Sequence, residues 1–152
     1  MYDTVVLSTD GSASADRAVT VGLDLARRFD ATVHALYVTD TGEVDASPAA
    51  VRDDLSNALE EHGETALEQL SGQTDQSVVT AVREGRPAAE ICAYAEDVGA
   101  DVVVTGTRGR HGEHAFLLGS VAEAVVRRSP VPVLTVRQLD ADESTTVTPQ
   151  EV

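Results

Sequence analysis

The sequence predicts an α/β domain, a doubly wound parallel sheet with helices on both faces. Five short runs rich in β-branched residues alternate with four helical patterns, so each strand is separated from the next by a crossover helix. The chain has 152 residues, the size of one globular domain able to bury a core, and shows no internal repeat and no linker of altered composition.

The first run, T-V-V-L-S-T at 4–9, reads as a buried strand. Asp10, Gly11 and Ser12 turn the chain, and Ser12 is placed to cap the following helix. That helix extends to about Phe29 on an apolar stripe of Ala15, Ala18, Val19, Gly22, Leu25, Ala26 and Phe29. The second strand is A-T-V-H-A-L-Y-V-T at 31–39, followed by a polar loop over 40–48. A long helix over about 49–70 carries Val51, Leu55, Leu59, Ala66 and Leu70 on one face and stops at Ser71 and Gly72. The third strand spans 77–83. Pro87 suits the first position of the next helix, whose stripe is Ala88, Ile91, Cys92, Ala95 and Val98, with Gly99 as its C-terminal cap. A fourth strand at 101–105, a helix over about 120–128 that stops before Pro130, and a fifth strand, V-P-V-L-T-V at 131–136, complete the pattern. Pro132 places that last strand at an edge of the sheet. An apolar edge invites either cover by the C-terminal tail or pairing with a second copy, through the strand that Val131 opens and Val136 closes; the homodimer is the expected outcome. The globular domain is expected over 1–138, and the acidic, Thr-rich stretch 139–152 as a disordered tail.

Between the fourth strand and the last helix lies V-V-V-T-G-T-R-G-R-H-G-E-H-A-F-L-L-G-S, from Val102 to Ser120. A buried strand, a loop holding Gly106, Gly109 and Gly112, and a helix opening at Gly119 and Ser120 form a phosphate-binding arrangement. Backbone N–H groups converge there, the helix dipole favours an anion, and glycine allows close approach. In a doubly wound sheet, ligands sit beyond the C-terminal strand ends, which is where this loop falls. Arg108, Arg110, His111 and His114 concentrate positive or protonatable groups in it.

Composition narrows the chemistry. Twenty-six acids against eleven bases give a net charge of −15, and every base is arginine. Such a surface disfavours nucleic acid and anionic membranes and suits high salt, where counterions screen self-repulsion. Without lysine there is no Walker-type lysine, Schiff base or lysine general base. No apolar run has membrane-spanning length and M-Y-D-T is no secretion signal, so a cytoplasmic location is expected. His111 and His114 lack a third ligand at suitable spacing for zinc. His34 and His62 read as structural or exposed, and Cys92, on an apolar stripe, as a packing thiol.

Gly106-x-x-Gly109, nine residues, then Gly119-Ser120 resembles the nucleotide-binding signature of the universal stress protein family. The likeness runs from Met1 to about Gln138 and includes Asp10-Gly11-Ser12, Gly85-x-Pro87 and Pro130-Val131-Pro132-Val133. It implies an adenine nucleotide alpha hydrolase-like sheet in the order 3-2-1-4-5, commonly dimeric through the last strand. It also implies ATP (or ADP or AMP) as ligand with Mg²⁺. Asp10 resembles the acid near the ribose and phosphates, and could hold the Mg²⁺. Val38 resembles the residue after which the second strand lends its backbone to adenine. Gly106, Gly109, Gly119 and Ser120 match the phosphate and ribose loop, Val121 follows at the helix N-terminus, and Arg108 lies within the loop. Position 8 is Ser8, where ATP-binding relatives often carry proline. The expected function is a nucleotide-binding regulatory or stress-response module with no catalytic residue. A slow ATP-hydrolysing enzyme of the same fold, or an interaction protein with an empty site, are the alternatives.

Overall fold

The computed structural model describes residues 2–108 and 118–139. In chain order they form β1 (Thr4–Ser8), α1 (Asp16–Phe29), β2 (Thr32–Asp40), α2 (Thr41–Asp45), α3 (Arg52–Ser71), β3 (Val78–Gly85), α4 (Pro87–Asp97), β4 (Val102–Gly106), α5 (Ser120–Arg128) and β5 (Val133–Val136). The strands make one five-stranded sheet in the order β3-β2-β1-β4-β5, with every pairing parallel. The doubly wound sheet and its implied order are therefore observed.

Side-chain alternation sorts the core into two layers. Val5, Leu7, Val33, Ala35, Tyr37, Val102 and Val104 face α1 and α3. Val6, Leu36 and Val103 face α4 and α5. Strand β1 is buried throughout its last four positions because it is covered on both faces and paired on both edges. Its start is tied to β4 by Asp101, whose Oδ2 accepts the N–H groups of Asp3 at 2.8 Å and Thr4 at 2.9 Å. In α3, Gly63 lets the helix close onto the sheet, since a Cβ there would lie 2.2 Å from Tyr37 Cδ1.

Several local expectations shift. Ser12 makes no side-chain cap; a 3₁₀ turn at Ala13–Ala15 leads into α1 instead. The loop expected over 40–48 contains α2, capped by Asp40. Phe29, assigned to the core stripe, is 44% exposed and packs edge-on to Tyr2 at 5.1 Å, while Leu23 takes the buried place. Val51 is likewise exposed, and Gly63 and Leu67 complete the α3 face. Tyr94 is buried in α4 where Cys92 is only half-buried. Gly99, at φ +64°, follows the α4 C-terminus in the left-handed conformation expected of it. The last strand begins at Val133, one residue past Pro132, whose carbonyl still accepts from Val103 N–H at 2.9 Å. Among the described residues β5 pairs with β4 alone, which makes it an edge strand of the sheet.

His34 on β2 is partly buried under α4, its Nδ1 hydrogen-bonded to the Tyr94 hydroxyl at 2.9 Å. The Arg83 guanidinium stacks over the Tyr94 ring at 4.8 Å and pairs with Asp97 at 2.9 Å. Burial holds His34 below the ordinary histidine pKa. The unfolded chain therefore takes up a proton near pH ~6.5 that the folded chain accepts only at lower pH, and stability falls as pH drops through that interval. Urea unfolding of wild type and His34→Gln should show this loss in wild type and a flatter profile in the variant. Parallel profiles would refute the assignment.

Candidate functional site

Between β1 and β4 the winding direction reverses: from β1 the chain builds outward through β2 and β3, then crosses to β4 and β5. A cavity of about 230 Å³ opens at the C-terminal strand ends beside this point. Its floor is polar. The Ser8 hydroxyl donates to Thr105 Oγ1 at 3.1 Å, joining the ends of β1 and β4 on the α4/α5 face. A proline at position 8 could not make this bond.

The turn after β1 is held from both sides. Asp10 Oδ1 accepts the Ser12 N–H at 2.9 Å and the Ser12 hydroxyl at 2.6 Å, which is where the expected helix cap went instead. Gly11 has φ +76°, and a Cβ there would fall 2.4 Å from His62 Nε2, so the position admits only glycine without displacement. His62 reaches across from α3, its Nε2 3.2 Å from the Asp10 carbonyl oxygen. Asp10 itself lines the cavity.

The β2 wall follows a period of two. Leu36, Val38 and Asp40 all line the cavity. The Thr9 N–H donates to the Leu36 carbonyl at 3.0 Å, the last rung between β1 and β2. In a strand, the N–H and C=O of alternate residues point to the same neighbour, so those of Val38 point to the side where β1 has ended. Pro87 and Ile91 at the start of α4 add to the apolar wall.

The opposite end is built by β4 and α5. Gly106 lies against the turn before α1, where a Cβ would be 3.3 Å from the Ser14 carbonyl oxygen. Gly119 is the N-cap of α5, and its N–H donates to the Thr107 carbonyl at 2.6 Å, anchoring the helix start to the end of β4. A glycine cap has no side-chain oxygen, and α5 has no side-chain cap. The first intrahelical bond is from Glu123 N–H to the Gly119 carbonyl, leaving the N–H groups of Ser120, Val121 and Ala122 without a partner in the helix. All three residues line the cavity. Arg108 lines it too, with Nε buried and lacking a hydrogen-bond partner among the described residues, and with Nη2 reaching the Gln138 carbonyl at 3.5 Å. The arrangement offers an anion site at one end, apolar walls at the other, and a carboxylate between them.

Of the sequence-assigned residues, Asp10, Val38, Gly106, Arg108, Gly119, Ser120 and Val121 meet at this cavity. Gly109, with Arg110, His111, Glu113 and His114, lies outside the described residues. Sequence reasoning missed Asp40, Glu43, Pro87 and Ile91. Continuing the alternation from Leu36 through Val38 would have reached Asp40; the other three come from two helices, α2 and α4, with no short-range link to the glycine motif. Cys92 does not line the cavity, and burial pushes its thiol pKa up against an opposing pull from Arg128. Among the described residues, no three His, Cys, Asp or Glu side chains group as a metal site, and no helix is long and apolar enough to cross a membrane.

The universal stress protein family model matches residues 1–137. The chain belongs to this family. It is 37% identical over 142 residues to a universal stress protein of Methanocaldococcus jannaschii, covering 91% of this chain and 84% of that one. It is 34% identical over 143 residues to one of Methanothermobacter thermautotrophicus, covering 90% and 97%. Among solved structures, the universal stress protein UspA from Lactobacillus plantarum superposes with TM-score 0.75 at 27% identity, covering 90% of this chain and 98% of that one. A universal stress protein crystallised in complex with cAMP superposes with TM-score 0.66 at 27% identity, covering 90% and 97%.

Proposed function

We propose that this universal stress protein is a regulatory stress-response module that binds ATP, with ADP and AMP entering the same site. The observation that carries the reading is the α5 N-terminus, whose first-turn N–H groups have no side-chain cap and open onto the switch-point cavity. The phosphates are held by the N–H groups of Ser120 and Val121, by Arg108, and by backbone that Gly106, Gly109 and Gly119 allow to approach. Arg108 Nε, buried without a partner among the described residues, is a donor that an anion would satisfy. The base lies against Leu36, Val38 and Ile91, where the Val38 N–H and C=O offer one donor and one acceptor. Asp10 takes a ribose hydroxyl or the metal. The related protein complexed with cAMP supports an adenine nucleotide here.

The residues fit Mg²⁺ in the manner usual for that ion, with one carboxylate, from Asp10, and the remaining positions filled by phosphate oxygens and water. Mg²⁺ would neutralise phosphate charge beside the Asp10 carboxylate. The domain over 1–138 is the nucleotide-binding unit, and it acts in the cytoplasm. Titration calorimetry should show Mg-ATP binding that is weakened by EDTA and lost in Gly119→Val, which puts a branched side chain at the buried N-cap. At one hundred times Kd, ATP should stabilise the fold by about 2.7 kcal/mol. No heat and no thermal shift at millimolar ATP would sink the nucleotide reading, and multiple turnovers of phosphate release would convert it to a hydrolase.

The protein acts as a homodimer through β5. Among the described residues that strand has a partner on one edge only and exposes Leu134, and Val126 of α5 is exposed as well. Sedimentation should give twice the 16.0 kDa chain mass, and Leu134→Asp should give monomers that keep their ATP affinity. A wild-type monomer at micromolar concentration rules the dimer out.

The charge of −15 without lysine supports adaptation to high salt. Circular dichroism should show unfolding as salt is withdrawn, and a fully folded protein in dilute buffer would count against it.

A further inference from the structure

Gln138, two residues past the end of β5, touches the site from outside. It does not line the cavity, yet it meets two elements that do. Its side-chain Oε1 accepts the Arg17 N–H at 2.9 Å, in the first turn of α1. Its carbonyl oxygen lies 3.5 Å from Arg108 Nη2. The Arg17 guanidinium adds a third tie, Nη1 donating to the Arg137 carbonyl at 2.9 Å. The end of β5 is joined to the same loop, since the Thr107 N–H donates to the Val136 carbonyl at 3.3 Å.

The first contact supplies something α1 lacks locally. Its N-cap is Ala15, which offers no side-chain oxygen, so a first-turn donor is satisfied by a residue 121 positions away. The turn that this bond steadies packs against Gly106, and Ala15 lines the cavity. The second contact bears on charge. Arg27, Arg28, Arg83 and Arg127 are each held by a carboxylate. Arg108 Nη2 instead faces a carbonyl, which orients the guanidinium without cancelling its charge. A carboxylate in that place would compete with an anion in the cavity. An arginine side chain has many rotamers, and fixing one before the anion arrives removes part of the ordering cost from binding. The buried Nε, with no partner among the described residues, is the donor left for that anion.

We propose that Gln138 is a positioning residue for the anion end of the cavity: by bridging the start of α1 and Arg108, it holds the guanidinium in the pose that takes a nucleotide's phosphates. This rests on the nucleotide reading above. Linkage makes the effect reciprocal, so phosphate binding tightens the Gln138 contacts by the factor that those contacts add to affinity. The Arg17 amide, which belongs to a residue outside the cavity lining, therefore reports phosphate occupancy.

Calorimetry with ATP and with adenosine, which lacks phosphate, separates positioning from general support of the fold. Gln138→Met removes the Oε1 acceptor at similar bulk, and Arg17→Met removes the tie to the Arg137 carbonyl. Each should weaken ATP about fivefold, as expected for the loss of one neutral hydrogen bond, and leave adenosine within about twofold of its wild-type affinity. In an Arg108→Met background, Gln138→Met should weaken ATP no further. By hydrogen exchange, saturating ATP should slow the wild-type Arg17 amide by about the same fivefold, and adenosine should not. Unchanged ATP affinity in both variants, equal losses for ATP and adenosine, a full loss that persists without Arg108, or Arg17 exchange that ignores ATP would each overturn the proposal while leaving ATP binding standing. Wild type that binds neither ligand overturns the nucleotide reading itself, and this inference with it.

Discussion

The site depends on a chirality constraint. Crossovers between parallel strands are right-handed. A chain that builds outward from β1 through β2 and β3 covers one face of the sheet with α1 and α3. It then returns to β1's other side, so β4 and β5 must be covered on the opposite face by α4 and α5. The loops leaving β1 and β4 part at their shared border, and no crossover fills the gap. Everything the cavity uses is arranged around that gap. Ser8 and Thr105 pair across its floor, Gly106 packs under the turn before α1, and Gly119 hangs α5 from the Thr107 carbonyl. The buried end of β1 makes this border stiff, because it is paired on both edges and covered on both faces.

The fold was legible because its signals are local and redundant. Strands buried on both faces read as unbroken apolar runs, and the helices between them carry stripes, Pro87 at a start and Gly99 past an end. What failed was local as well. Ser12 looks like a cap, but an aspartate two residues earlier competes for both its N–H and its hydroxyl. Short polar side chains choose among near-equal backbone and side-chain partners by geometry that the sequence does not carry. Phe29 satisfies helical periodicity yet is the last residue of α1, where Tyr2 covers it in place of the core. The helix at Thr41–Asp45 is too short to show a period, and only its cap marks it.

The site was half legible. Gly106 is readable because it packs tightly on the turn before α1, where a Cβ would lie 3.3 Å from the Ser14 carbonyl oxygen, and Gly119 because it directly precedes the last helix. Asp10 is readable because it follows a strand directly. The apolar wall is different: Pro87 and Ile91 enter the cavity only because α4 crosses over β2, a long-range fact with no short-range spacing. Any apolar pair at that height of the helix would serve, so no particular residue type announces itself. His62 is similar. Its place against Gly11 comes from the angle at which α3 crosses the sheet, itself set by Gly63 on Tyr37.

One residue choice sharpens how such a cavity can discriminate. A helix start usually satisfies its own donors, with Ser, Thr, Asp or Asn at the cap. Here α2, which borders the wall holding Val38, has an aspartate cap, whereas α5, which borders Arg108, has a glycine. An acid at the cap of α5 would occupy the first-turn N–H groups and set a negative charge where phosphates would sit. A glycine at the cap of α2 would leave a second anion site beside the apolar wall. The two caps therefore polarise the cavity: bare amides and Arg108 at one end, carboxylate oxygen at the other. A ligand that is anionic at one end and rich in N–H donors at the other can enter in only one orientation. That polarity comes from two single residues at helix starts, on a scaffold whose walls are otherwise apolar.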